Sequence, residues 1–208
     1  MDLQNWYQLL TEQFKETGFL QWIAVLAGVA EVLLARKNKV WLYPAGILAS
    51  LLSIILLVEA LLYAEAALNM YYVVMSIYGW AYWIKKKNEP PVKISYSTRQ
   101  DWLITFFITF AGWGILYIAL KNFTNSDVPA IDAFVSATAW AGMWLLARRK
   151  IENWILLNIS NFFAIPLLFH KKLPLFALLT IFLFIIAVIG FYDWKKIYKD
   201  ENPDPSFT

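Results

Sequence analysis

Two sets of polar and aromatic side chains recur at helical spacing inside strongly apolar stretches. Trp154, Asn158 and Asn161 are spaced i, i+4, i+7, and Asn69, Tyr72 and Ser76 are spaced i, i+3, i+7. Each set falls on one side of an α-helix. Amides donate and accept hydrogen bonds to sugar hydroxyls or to a carboxamide. Indole and phenol rings stack on flat heterocycles and attract cationic ones through the ring quadrupole. Together these groups suit a nucleoside-like or cationic aromatic solute. The same residue types also hydrogen-bond neighbouring helices to one another with no ligand involved, so both roles stand open for each residue. A third face, Thr105, Thr109, Trp113 and Tyr117, reads as packing first and as a solute path second.

The elements carrying these faces must lie in a bilayer. Of 208 residues 60% are hydrophobic and only 16% are charged, against about 25% charged in an average soluble domain. A soluble chain of this size lacks the polar surface to cover so much apolar side chain, whereas lipid faces it directly. Polar groups at that depth turn inward, toward a cavity or a neighbouring helix.

A helix needs about 20 apolar residues to span the hydrocarbon core. Seven candidates satisfy this, at about 19–35, 41–58, 62–84, 101–120, 131–147, 153–169 and 173–194. The expected fold is an all-α integral membrane protein with seven transmembrane helices. Residues 1–18 contain Asp2, Glu12 and Glu16 and so lack the chemistry of a secretory signal. With Trp6, Leu9, Leu10 and Phe14 they read instead as an amphipathic segment on the membrane surface. Pro44 falls early in the second span, where it is tolerated, and Pro166 is expected to kink the sixth.

Basic residues alternate with the spans. One side carries Lys15, Lys121, Lys171 and Lys172, and the other carries the remaining fourteen of the 18 Lys and Arg, including Lys85, Lys86 and Lys87. The positive-inside rule places the N-terminus outside and the C-terminus in the cytoplasm.

The chain also repeats itself. Leu33-Leu34-Ala35-Arg36 recurs as Leu145-Leu146-Ala147-Arg148 at an offset of 112, Trp41 matches Trp154 at 113, and Gly79 and Trp83 match Gly190 and Trp194 at 111. Each unit holds three spans, so an intervening fourth gives both units the same direction through the membrane. This is a 3+1+3 arrangement, two parallel three-helix repeats joined by a linker helix. The organisation is residues 1–18 amphipathic, 19–87 first repeat, 88–130 linker, 131–196 second repeat and 197–208 tail.

Several functions are excluded. There is no Cys and one His, His170, so a thiolate or histidine metal centre has no ligands, and an intramembrane enzyme lacks its usual bases. No cofactor is expected. The basic clusters are short and interrupted, which argues against nucleic acid as a partner. The last span has no Lys for a retinal Schiff base. Asp132 suits a helix-capping role near the start of the fifth span, and Glu31 lies about a turn from Arg36, within reach of an interface. A membrane receptor or structural protein remains the alternative class.

The chain resembles the PnuC family of bacterial vitamin-precursor transporters. The resemblance runs through Asn69-Met70-Tyr71-Tyr72 to Tyr78-Gly79-Trp80, Asp132, the Leu-Leu-Ala-Arg run, Glu152-Asn153-Trp154 to Asn161, and Gly190 to Lys195. It implies a SWEET-like 3+1+3 bundle in the bacterial inner membrane, a homotrimer, and facilitated diffusion of nicotinamide riboside with trapping by a cytoplasmic kinase. It implies no coupling ion. In one respect the chain departs from the family: members for nicotinamide riboside often show W-x-x-W-x-x-x-N, and here Leu157 stands at the second Trp. Thiamine is therefore the alternative substrate.

Overall fold

The computed structural model describes residues 3–60, 62–84 and 92–203. Asp2, Lys85, Lys86, Lys87 and the end of the tail lie outside them. Eight helices follow one another: α1 Leu3–Glu16, α2 Phe19–Arg36, α3 Leu42–Glu59, α4 Tyr63–Trp83, α5 Arg99–Phe123, α6 Pro129–Ala147, α7 Asn153–His170 and α8 Pro174–Glu201. Among the described residues there is no strand, only an isolated bridge between Ser95 and Lys150.

Six of the helices, all but α1 and α4, are long and apolar enough to cross a membrane. Helix α4 has the length, with 21 residues, but Glu65, Asn69 and its tyrosines lower its hydropathy. Helix ends follow local chemistry. Pro129 and Pro174 open α6 and α8, where a missing N–H is harmless. Thr98 and Asp101 form a reciprocal capping box at the start of α5. Asn38, Arg149 and Lys172 adopt left-handed backbone after α2, α6 and α7, the conformation that lets a helix stop and turn. Pro166 sits within α7, which continues to His170.

Each helix of α2–α4 has a counterpart in α6–α8. Contacts α2·α3 and α3·α4 are matched by α6·α7 and α7·α8, and the halves meet through α2·α8 and α4·α6. Helix α5 packs chiefly on α6, outside this ring.

Individual side chains repeat as well. Tyr43 lies over Gly79, and Trp154 lies over Gly190. In each case a β-carbon on the glycine would sit within 3 Å of the ring. The sequence match of Trp41 to Trp154 is therefore corrected: Trp154 is 1% exposed and has buried Tyr43 as its counterpart, while Trp41 is 69% exposed ahead of α3. The offset through this region is 111 throughout.

The interface between α4 and α6 is aromatic. Tyr71 stacks on Trp140 with centroids 4.5 Å apart and donates to the Trp140 carbonyl at 3.0 Å, and Tyr78 stacks on Trp144. Helix α1 packs on α8, held at the α7–α8 turn by Gln13, which donates to the Lys172 carbonyl and accepts from the Leu175 N–H.

Candidate solute pathway

One end of the bundle is closed by two similar bonds. The Trp83 indole donates to the Ala147 carbonyl at 3.2 Å, and the Trp194 indole donates to the Ala35 carbonyl at 2.9 Å. Ala35 and Ala147 are the alanines of the duplicated Leu-Leu-Ala-Arg runs, so each half is bonded to the end of the other. Tyr43 meets Trp83 edge-on at 5.2 Å, and Trp154 meets Trp194 edge-on at 5.7 Å. Beyond them Arg149 lies 4.2 Å over Trp83 and donates twice to Asn38 Oδ1. Burial among these rings lowers the Arg149 pKa from its ordinary value, with Tyr43 opposing the shift. Arg36 pairs with Asp193 at 2.5 Å.

Toward the middle is a cavity of about 240 Å³, lined by Glu31, Val32, Ala35, Ser50 and Tyr72 from the first half and by Ala139, Met143, Leu146, Trp154 and Leu157 from the second. At the opposite end a vestibule of about 810 Å³ opens between the α3–α4, α5–α6 and α7–α8 connections. Tyr72 lines both spaces. The vestibule carries an ion pair and a hydrogen bond: Lys171 bonds both oxygens of Asp132 at 2.6 Å, and His170 Nε2 meets Asp127 at 2.8 Å. The hydrogen bond from His170 holds the Asp127 carboxyl below its ordinary pKa.

The structure brings some of the expected residues together and separates others. Trp154 and Tyr72 meet at the central cavity, and Asn69 lines the vestibule. Ser76 is fully buried on α4, and its hydroxyl has no partner among the described residues. Asn161 is half-buried on α7 and lines neither space. Asn158 faces α8, with its amide donating to the Phe184 carbonyl and accepting from the Val188 N–H in the orientation that satisfies both. Trp113 sits in a lateral groove between α5 and α6, with its indole donating to Ala130 at 2.9 Å. The reason is the place of α5 outside the ring. Asp132 sits in the first turn of α6, where it accepts from Lys171 and Ser126 and so ties the α7–α8 turn to α6.

Glu31 and Ser50 also line the central cavity and Trp140 the vestibule, and the expected set did not include them. The offset of 111 would have pointed to Ser50, the counterpart of Asn161.

Residues 18–196 match the sequence pattern described as nicotinamide mononucleotide transporter. The chain belongs to this family. Among its relatives are the nicotinamide riboside transporters PnuC of Neisseria mucosa, 24% identical over 89% of this chain and 75% of that one, and of Escherichia coli, 24% identical over 90% and 89%. The crystal structure of a vitamin B3 transporter PnuC superposes with a TM-score of 0.69 at 24% identity, covering 94% of this chain and 90% of that one. The fold is thus that of PnuC. Family membership makes the chain a multi-pass membrane transporter and points away from catalysis.

Proposed function

We propose that the chain carries nicotinamide riboside across the bacterial cytoplasmic membrane through the cleft between α2–α4 and α6–α8. In this reading α4 crosses with the six more apolar helices. Two like-oriented triplets are joined by α5, the N-terminus is outside, and the basic end is cytoplasmic. The vestibule faces out and the paired indoles close the inner end.

One observation carries the choice of solute. The central cavity is lined by one charged side chain, Glu31, and by no Lys or Arg. A pyridinium riboside brings a positive ring and neutral hydroxyls, which suits this lining. The mononucleotide adds a phosphate of about −1.5 to −2 charge, which needs cationic or backbone donors. The riboside that names the relatives therefore fits better than the mononucleotide that names the family.

Trp154 offers a flat face, and the hydroxyls of Tyr72 and Ser50 offer hydrogen bonds at the other wall. Asn69 meets the solute in the vestibule, while Ser76 and Asn161 flank the path and orient its walls. The movement is facilitated diffusion, made one-way by a cytoplasmic kinase that phosphorylates the riboside.

Leu157 favours a second reading, thiamine. It leaves the apolar wall with one indole rather than two, which changes the heterocycle that can be held.

Calorimetry of the purified protein with nicotinamide riboside, the mononucleotide and thiamine, together with tracer uptake into proteoliposomes, tests both readings. Binding and uptake of the riboside alone is the expected result. Preference for thiamine selects the second reading, and preference for the phosphorylated form refutes both.

A further inference from the structure

Glu31 has a setting that helix packing alone does not require. It lies on α2, and Arg36 further along that helix is taken by Asp193 of α8. Among the described residues Glu31 makes no hydrogen bond and no ion pair. Its carboxylate rests on the bare backbone of Gly46 in α3, where a β-carbon would fall 2.3 Å from Oε1 and 2.6 Å from Cδ. Any other residue at position 46 would push the carboxylate aside, so the glycine makes the room that lets it reach the cavity. Tyr72, Ser50 and Trp154 share that cavity with it.

A carboxylate held at membrane depth without a partner is costly. The second half shows that helix packing does not demand one here: at the offset of 111 at which Asn38 and Arg149 make the same left-handed turn, Gly142 stands for Glu31 and Leu157 for Gly46, so the equivalent contact is made by an apolar side chain, and Leu157 lines the same cavity. The acid therefore answers to what enters the cavity, and the lining supplies no protein cation to meet it.

We propose that Glu31 is a specificity-determining residue, the counter-charge that makes the site select a permanently cationic aromatic ring over its neutral counterpart. The inference rests on the riboside reading above. With the ring stacked on Trp154, the positive ring nitrogen faces the carboxylate. The solute provides the partner that the fold withholds, and an anionic solute is repelled.

The test uses two ligands of the same skeleton, oxidised nicotinamide riboside, whose ring is cationic, and its dihydro form, whose ring is neutral. Calorimetry on the intact purified protein should give at least a tenfold preference for the cation. Glu31→Gln should lower affinity for the cation at least tenfold and leave the dihydro form within about twofold, a readout that also shows the variant is folded. Glu31→Asp should restore part of the preference. Equal affinity of the unaltered protein for both ligands overturns the proposal while leaving the riboside reading intact, and needs no variant. A Glu31→Gln protein that keeps the preference also overturns it. If the unaltered protein binds neither riboside, the substrate reading fails and this inference falls with it.

Discussion

The two halves of the ring contribute equally to the central cavity but in opposite character. From α2–α4 come Glu31, Ser50 and Tyr72 beside two small or branched apolar residues, and from α6–α7 come Ala139, Met143, Leu146, Trp154 and Leu157. The positions differ as well: at the offset of 111 Trp154 answers to Tyr43 and Ser50 to Asn161, and neither of these counterparts lines the cavity. Some packing contacts occur in both halves, among them the indole bonds of Trp83 and Trp194 and the rings over Gly79 and Gly190. The side chains that meet the cavity differ.

The strongest way to break this comparison is to cut away one ring in each half. Trp154→Ala and Tyr43→Ala each remove a buried ring from over a glycine and should each destabilise by about 3–5 kcal/mol. Only Trp154 lines the central cavity, so only its loss should also weaken riboside binding, by more than a hundredfold. Detergent melting curves and calorimetry on both variants check this, and equal binding losses would erase the distinction between packing and lining.

Next in size are the paired indoles. Trp83→Phe leaves the Ala147 carbonyl without its indole donor and should reduce stability by about 1–3 kcal/mol, whereas after Trp194→Phe the Ala35 carbonyl keeps the Asn38 N–H. The loss for Trp83→Phe should therefore exceed that for Trp194→Phe. Denaturation of the two variants side by side reads the difference.

A smaller effect is expected from Tyr72→Phe, which removes a hydroxyl from the polar wall and keeps the ring. The loss of one hydrogen bond to solute, about 0.5–1.5 kcal/mol, should weaken binding by up to about tenfold without shifting the melting point. The same calorimetry decides it.

Least is expected from the vestibule pair. The Asp127 carboxyl is held below its ordinary value by His170, so the folded chain binds that proton less readily than the unfolded one. The pair therefore adds stability above the usual aspartate range, near pH 4, and that contribution fades as pH falls through the lowered value. The melting difference between the unaltered protein and His170→Ala should shrink to nothing at the acid end. A difference that grows with acid would contradict the assignment.

Hydropathy made the helices legible almost to the residue, because a bilayer imposes both length and apolarity. The largest discrepancy is at α8, which runs to Glu201 past the expected end near 194, and its last turns pack Tyr198 against Tyr96. The cavity was less legible. Helical spacing groups Asn158 with Trp154, but which neighbour lies beside each edge of that face depends on α8, and α8 claims Asn158. Trp113 carried the right chemistry on a helix that stands outside the ring. Glu31 was visible as an acid near Arg36, yet its freedom depends on the pairing of Arg36 with Asp193, 157 residues away, which no local pattern reveals. Among the matched positions, the pairing of Trp41 with Trp154 gives way to that of Tyr43 with Trp154, because packing over a glycine rather than residue type selects it.

The segment ahead of α5 has a mechanical consequence. Ser95 exchanges backbone bonds with Arg149 and Ile151, Glu152 accepts from the Ser97 N–H and hydroxyl, and Lys150 reaches Asp101 at 3.2 Å. All of these fasten α5 to the turn between α6 and α7. The α2–α3 turn is joined to that same turn through Asn38, which accepts twice from Arg149, so the α6–α7 turn is the junction at which α5 and both halves meet. A chain divided just ahead of Val92 should yield two co-expressed pieces of which the later one, Val92 onward, stays assembled alone while the earlier depends on it, as co-purification and protease resistance of each piece would reveal.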